Sequence, residues 1–459
     1  MYRPEIPPRD EAVLFVDLYE LTMAQSYFEQ NMSSNATFSL FTRKSEINRS
    51  YFVSAGIADV LSYLQELSFS PVAVDYLRST GLFKDDFLQY LGGLRFTGDV
   101  RGIPEGRLYF QDEPLLEITA PIIEAQLIET MVINQMNVQS MIATKAARCY
   151  LAAGEAGLID FSMRRAHGTD AGMKAARCSY MVGFQATSNV LAGIVYGIPL
   201  AGTMAHSYVA SFESEIDAFR AYVTAFPVDS VLLIDTYDTI SATDKAIEVA
   251  IEMEKKGQFL KGVRIDSGDI LYLSGKVRRL LDDSNLGYVK IIASGGLDEN
   301  TVEALVKAGA PIDMFGVGTQ MATSGDTPWL EMVYKIVNYA GRPILKLSPG
   351  KISLPEEKQV FRMRNMDGTF NRDVISLVDE FPPNGNSEPL LDTFMKAGSV
   401  VRQIPLLEDA RKNFQEDIES LEGRFKLLYS PSEYPVELSD KLLELQKSLE
   451  KDIRQRNAE

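Results

Sequence analysis

The sequence predicts an α/β protein: an irregular, TIM-like β/α barrel over residues 141–330, and a second α/β domain assembled from residues 1–140 and 331–459, the last ending in a terminal helix. Three observations lead there. From about residue 155 to 320, short segments rich in Ile, Val and Leu alternate with longer amphipathic ones, the pattern of repeated β-α units around a parallel sheet. Each apolar segment is followed at once by residues capable of chemistry. The flanks lack this alternation and mix helices with strand-like pieces.

Taken in order, the first helix contains Asp17-Leu18-Tyr19-Glu20-Leu21-Thr22, and Ala36–Thr42 and Leu115–Ile118 read as strands. The β/α series offers six strands: Leu158–Phe161, Pro199–Met204, Val231–Ile234, Gly262–Ile265, Val289–Ala293 and Met314–Val317. Between them, Ala242–Lys256 has helical spacing, with Ala246, Ile247, Ala250 and Ile251 on an apolar face and Lys245, Glu248, Glu252 and Lys255 polar. Behind the strands stand Arg164 and Arg165, His206, Asp235 and Asp238, Arg264 with Asp266 and Ser267, Ser294 with Gly295 and Gly296, and Gly318 with Thr319. In a barrel these positions converge on the C-terminal rim. An open doubly wound sheet would gather its polar residues near a switch point, so six successive polar strand ends favour the barrel. Beyond Trp329, the segments Met332–Tyr339 and Pro343–Ser348, separated by Ala340-Gly341-Arg342, predict a hairpin, and a charged amphipathic helix runs from Ser439.

With 459 residues, 46% of them hydrophobic, the chain has material for two cores. Lys and Arg total 46 against 63 Asp and Glu, a net charge of -17 that argues against nucleic acid or an anionic membrane as partner. A phosphate-rich ligand would need locally concentrated Arg, Lys and backbone amides to overcome that field. The two cysteines, Cys149 and Cys178, lie in Ala- and Arg-rich helical stretches, which fits a reducing cytoplasm. The N-terminus lacks the order of a signal peptide. The longest apolar run, Val190 to Ala205, is interrupted by Gly193, Gly197, Pro199 and Gly202 and is too short for a membrane span.

Of the two histidines, His167 and His206, the second follows Gly202-Thr203-Met204-Ala205, small residues that leave an imidazole exposed beside room for a bulky ligand. Such a ring serves as a base or as a nucleophile towards phosphorus, although a lone histidine is commonly structural. Arg264-Ile265-Asp266-Ser267-Gly268-Asp269 sets a cation and a carboxylate on one side of a strand edge, suited either to a loop-closing salt bridge or to a ligand. Asp235-Thr236-Tyr237-Asp238 repeats the theme, and successive carboxylates suit magnesium or a positive sugar centre. The turns Ser294-Gly295-Gly296 and Gly316-Val317-Gly318-Thr319 follow consecutive strands near the end of the series, where barrels often bind phosphate.

The stretches Asp17-Leu18-Tyr19-Glu20-Leu21-Thr22-Met23, Asp160-Phe161-Ser162-Met163-Arg164-Arg165-Ala166-His167-Gly168, Gly202-Thr203-Met204-Ala205-His206-Ser207, Asp235-Thr236-Tyr237-Asp238-Thr239, Arg264-Ile265-Asp266-Ser267-Gly268-Asp269 and Ser294-Gly295-Gly296-Leu297-Asp298 occur in one order. In that order the chain resembles the nicotinate phosphoribosyltransferases, from about residue 10 to at least 320. The resemblance implies a type II phosphoribosyltransferase barrel and ATP-coupled, ligase-like transfer of phosphoribosyl from phosphoribosyl pyrophosphate to nicotinate in NAD biosynthesis, with magnesium, in the cytoplasm. It implies that His206 is phosphorylated by ATP. Arg164, Arg264 and Asp266 would handle the phosphoribosyl group and its pyrophosphate, and Asp235 would order magnesium or the ribose hydroxyls. Ser294, Gly295, Gly296, Gly318 and Thr319 would receive the 5-phosphate. Phe161 would stack on the pyridine, and Tyr19 would cover its other face from the neighbouring subunit of a homodimer with shared sites.

Within Gln185-Ala186-Thr187-Ser188-Asn189, Thr187 and Ser188 are expected at the substrate, Ser188 standing where the related nicotinamide enzyme has an acidic residue. A hydroxyl there tolerates a carboxylate that an acid would repel. Ser188 thus argues against a nicotinamide enzyme, and His206 in its Gly-Thr-Met-Ala setting against a quinolinate enzyme, which uses no ATP. An inactive relative kept as a binding protein is the remaining alternative.

Overall fold

The computed structural model describes residues 9–44, 48–347, 353–383, 385–403 and 406–456. The chain divides into two compact units, one of residues 1–144 and 327–459, the other of residues 145–326. No helix among the described residues is long and apolar enough to cross a membrane.

The unit of residues 145–326 is built on six strands in the order Ala186–Thr187, Gly157–Asp160, Met314–Val317, Lys290–Ala293, Gly262–Ile265, Val231–Leu233. Every neighbouring pair is parallel. That spatial order is the chain order with its two ends brought together, so the first strand of the series, Gly157–Asp160, lies beside the last, Met314–Val317. Register then aligns the exits. Thr187 pairs with Asp160, Asp160 with Val317, Ala293 with Ile265, and Leu233 with Arg264. Ser188, Phe161, Gly318, Ser294 and Asp266 therefore stand in adjoining exits, with Asp235 two residues beyond the strand Val231–Leu233.

One expected strand is corrected. Pro199–Met204 forms only a single bridge, Leu200 opposite Thr187, in which Thr187 N–H donates to Pro199 O and Ala201 N–H to Thr187 O. Beyond it the backbone leaves the sheet, and the Met204 carbonyl accepts from the Arg264 guanidinium instead of from a neighbouring strand. The two-residue strand Ala186–Thr187, unforeseen, lies beside Gly157–Asp160. Gly262–Ile265 and Met314–Val317 have the expected bounds, and the other three strands of the series differ from expectation by a residue at one or both ends.

Helices in this unit begin on short polar caps. Asp238 accepts from Ser241 N–H, Asp269 from Tyr272 N–H, and Asp298 from Thr301 N–H, each satisfying a donor that the first helical turn leaves free. Asp238, Asp269 and Asp298 are thereby committed to helix starts. Apolar faces pack inward: Ala242, Ala246, Val249, Ala250 and Met253 meet Leu232, Val263, Val277 and Ile291 in a core without exposure above 2%.

The other unit holds a seven-stranded antiparallel sheet in which Asn35–Thr42 lies between Met332–Tyr339 and Pro114–Pro121, so strands from both chain ends share one sheet. The expected hairpin is present, with its second arm a strand only at Arg342–Pro343 and residues 344–347 outside the ladder. Met332–Tyr339 pairs with Arg342–Pro343 across Ala340 and Gly341, both at positive φ (53° and 74°), the geometry of a tight hairpin turn; residues 348–352 lie outside the described residues. A second sheet contains Lys358–Arg364 and Phe370–Leu377. Around it, Arg362, fully buried, donates to Asp373 Oδ2 (2.7 Å), Asp417 Oδ2 (3.2 Å) and Leu108 O (2.9 Å), with the Phe370 ring 4.3 Å from its guanidinium carbon. The first helix is Leu18–Glu29 and the last Asp440–Arg456.

Candidate active site

The strand exits of residues 145–326 gather one polar cluster. Arg264, on the strand Gly262–Ile265, donates through Nε to Ser294 Oγ (2.9 Å), through Nη2 to Asp266 Oδ1 (2.9 Å), and through Nη1 to Thr203 Oγ1 and Met204 O. Ser294 Oγ donates in turn to Asp266 Oδ1. The guanidinium is thus held in one orientation by two strand exits and the Thr203–Met204 segment while the Asp266 side chain stays 28% exposed. Burial alone would raise the Asp266 pKa, but the Ser294 hydroxyl, Arg264 and the facing His206 outweigh it and hold this carboxyl below its ordinary range. A group so placed remains an anion throughout the neutral range.

His206 begins the helix His206–Ala210. Its Nδ1 lies 3.1 Å from Thr236 Oγ1 and its Nε2 3.8 Å from Asp266 Oδ2, with 44% of the side chain exposed. One ring nitrogen is oriented by a hydroxyl and the other faces a carboxylate, a setting for a nucleophile. Asp235 completes this side. Its Oδ2 accepts from Asp266 N–H (3.1 Å) and Ser267 Oγ (2.5 Å), whereas its Oδ1 is buried without a hydrogen-bond partner. An orphaned carboxylate oxygen is costly unless a cation or a ligand hydroxyl meets it. No group of three or more His, Cys, Asp or Glu suited to a metal occurs among the described residues, so a magnesium ion here would draw most of its ligands from substrate and water.

Glycines shape the opposite side. A Cβ on Gly295, at φ +93°, would fall 1.8 Å from Asp266 O, and one on Gly316 would fall 2.5 Å from the Phe161 ring. Only glycine lets the Ser294–Gly296 turn lie against the Asp266 backbone and the Phe161 ring lie over its neighbouring strand. Phe161 is half-buried, and the Arg264 guanidinium carbon stands 5.6 Å from its ring centroid. Gly296, at φ +66°, has open space where a side chain would be, and Gly318 and Thr319 open the short helix Thr319–Ala322.

The structure therefore brings together His206, Asp235, Arg264, Asp266, Ser294 and Gly295, with Phe161 against Arg264. Other expected residues stand differently. Thr187, expected at the substrate, is fully buried, and its hydroxyl donates to Asp160 Oδ2 (2.7 Å). Ser188, next in the chain, is half-buried, and its N–H donates to Asp160 O. Arg164 is exposed and forms no ion pair among the described residues, so its charge is uncommitted. Tyr19 belongs to the other unit, on the helix Leu18–Glu29, and is 46% exposed. Reasoning from sequence gave no role to Thr203 and Thr236, which lie inside the quoted stretches and orient Arg264 and His206; for Thr236 the adjoining Asp235 was the available signal.

Family models match almost the whole chain: the nicotinate phosphoribosyltransferase N-terminal domain at residues 14–137, the family proper at 157–353, and its C-terminal domain at 384–446. Among curated relatives, the nicotinate phosphoribosyltransferase pncB2 of Mycobacterium tuberculosis is 46% identical, covering 94% of this chain and 92% of its own length. The nicotinate phosphoribosyltransferase of Bacillus subtilis is 36% identical, with 94% of each chain covered. The crystal structure of human nicotinic acid phosphoribosyltransferase superposes with a TM-score of 0.85 at 29% identity, over 94% of this chain and 99% of that one. Identity of this extent over nearly full length shows that the chain belongs to the nicotinate phosphoribosyltransferase family.

Proposed function

We propose that the Arg264–Asp266 cluster carries transfer of phosphoribosyl from phosphoribosyl pyrophosphate to nicotinate, giving nicotinate mononucleotide and pyrophosphate for NAD synthesis. The observation that carries this reading is the fixed Arg264 guanidinium beside an ionised Asp266 on one rim with two Gly-rich turns. As the bond from the anomeric carbon to pyrophosphate breaks, positive charge grows on the sugar and negative charge on the leaving group. Asp266 faces the first and Arg264 the second, so both charges meet preset partners in the transition state. The pyridine nitrogen bears no proton, and attack needs no base. Phe161 offers a ring face to nicotinate, and Ser188 offers its carboxylate a neutral hydroxyl. The amides of Gly295, Gly296, Gly318 and Thr319 hold the 5-phosphate, and the uncommitted charge of Arg164 serves the anionic substrates.

His206 is the residue ATP phosphorylates: a ring nitrogen attacks the γ-phosphorus, the bond to ADP breaks, and ADP leaves with the electron pair. Asp235, through its orphaned Oδ1, would help to hold magnesium, which would supply positive charge against the pyrophosphate. The six parallel strands close as an irregular barrel, and the site is completed in a homodimer, with Tyr19 of the second copy over the pyridine. The exposed Val190 (70%), Ile194 (82%) and Leu200 (55%) form an apolar surface that such a partner would cover. The compartment is the cytoplasm. The test is to assay nicotinate mononucleotide formation and phosphoenzyme in wild type and His206→Ala. Wild type should form product with ATP stimulation and an acid-labile phosphoenzyme, and the variant should keep slow, ATP-independent transfer. Phosphoenzyme in the variant would remove His206 from this role, and absence of product in wild type would remove the reading.

A further inference from the structure

We infer that Asp160 is a positioning residue for the pyridine pocket, tying the strand exit that carries Phe161 to the exit that carries Ser188. The inference rests on the nicotinate site proposed above. Asp160 ends the strand Gly157–Asp160 with no exposed surface. Its Oδ1 accepts from Ser162 N–H at 2.9 Å, Oδ2 from Thr187 Oγ1 at 2.7 Å, and its backbone O from Ser188 N–H at 2.9 Å. Thr187 Oγ1 accepts from Asn189 N–H at 3.0 Å, and Asn189 Oδ1 caps the helix Val190–Tyr196 through Ala192 N–H at 3.1 Å. One carboxylate thus fixes the chain after Phe161 and the side chain before Ser188.

The need for this tie follows from the strand it holds. Ala186–Thr187 is two residues long, pairs with Gly157–Asp160 only at Ile159↔Ala186 and Asp160↔Thr187, and has on its other side only the single bridge to Leu200, so a short backbone ladder defines the exit. Without the side-chain bond the exit bearing Ser188 would be free to shift against the Phe161 ring, and a misplacement of about 1 Å is enough to spoil recognition. Burial raises the Asp160 pKa, against which Ser162 and Thr187 work, so ionising this group carries a cost that an apolar residue at the same place would not. The hydrogen bonds to both exits are what the carboxyl supplies in return.

The test measures KM for nicotinate and for phosphoribosyl pyrophosphate, kcat, and Tm in the full chain. Asp160→Asn keeps the shape but presents an amide N–H to one of two donors, and nicotinate KM should rise about tenfold or more, the effect of a lost buried hydrogen bond. KM for phosphoribosyl pyrophosphate should stay within about twofold and kcat within about threefold. Thr187→Val should shift nicotinate KM in the same direction by a smaller factor, and Thr187→Ser should restore it. Should Asp160→Asn fail to fold, the Thr187 pair decides. A nicotinate KM within twofold of wild type in folded variants overturns the inference. So do equal rises in both KM values that track Tm, the mark of a merely structural role. Phe161→Ala separates the two layers: an unchanged nicotinate KM there removes the pocket itself, whereas a raised one with unchanged Asp160 and Thr187 variants removes only Asp160.

Discussion

Arg362 and Arg264 are both strand arginines held by aspartates, and the surroundings separate their work. Arg362 is fully buried, and its partner Asp373 has no exposure either; Phe370 and Phe110 flank its guanidinium, Tyr434 donates to Asp373, and Asp417 is shared with Arg107. Burial would lower the pKa of Arg362, but Asp373, Asp417 and Glu113 outweigh it and hold the guanidinium above its ordinary value. Arg264 has a similar number of partners, yet its Asp266 stays open to solvent and faces a histidine. A closed, fully partnered pair organises a core, whereas a pair with one open oxygen has affinity left for something that comes and goes. Burial, more than the residue pair, tells the two roles apart.

Replacing each arginine should separate the readouts. Arg264→Ala is expected to lower kcat/KM for nicotinate mononucleotide formation by about a thousandfold or more while Tm moves little, because Asp266 and Ser294 regain water. Arg362→Ala should do the reverse, destabilising by about 3–5 kcal/mol because buried Asp373 loses its cation while Asp417 keeps Arg107, with the kcat of the folded fraction near wild type. Denaturant unfolding beside steady-state kinetics checks both, and equal activity losses at equal stability would dissolve the contrast.

A third substitution probes burial of a carboxyl that has a hydroxyl partner, Thr130, in place of a cation. Glu20 is fully buried, and burial, helped by Glu129 and Asp17 and opposed by the Thr130 hydroxyl, raises its carboxyl to about 7. A carboxyl raised in the folded state favours folding fully below its unfolded pKa of about 4.5, and that contribution is lost as pH rises through about 7. Glu20→Gln should accordingly be more stable than wild type at pH 8, by on the order of 1–3 kcal/mol, and lose this advantage near pH 4. Unfolding free energies across that range give the answer, and a constant difference would show that Glu20 is ionised throughout. The smallest effect is expected at the exposed pair Lys44–Glu433, where Lys44→Ala should leave Tm within about one degree.

The same contrast explains what could be read in advance. Five of the six parallel strands carry enough Val, Ile and Leu to be visible, and the polar residue after each follows from the register. Pro199–Met204 misled because its composition suits a strand while its carbonyl and the Thr203 hydroxyl serve Arg264. Ala186–Thr187 was too short to show a period. Within Asp235-Thr236-Tyr237-Asp238, Arg264-Ile265-Asp266-Ser267-Gly268-Asp269 and Ser294-Gly295-Gly296-Leu297-Asp298, sequence does not say which acid faces the site; the helix that follows decides, since the last Asp of each is spent as its cap. The Arg362 network was invisible because its members, Leu108, Asp373 and Asp417, are far apart in the chain.

Gly295 and Asp266 touch so closely that no methyl group fits between them, and neither can be displaced without the other. On the proposed reading, the turn that grips the 5-phosphate and the carboxylate that faces the anomeric carbon are two jaws of one caliper. The gap between them is set by the backbone and does not adapt to what enters. A sugar phosphate is therefore gauged from end to end before any bond is broken: a chain one carbon longer or shorter seats one end and misses the other, whatever the quality of its separate contacts.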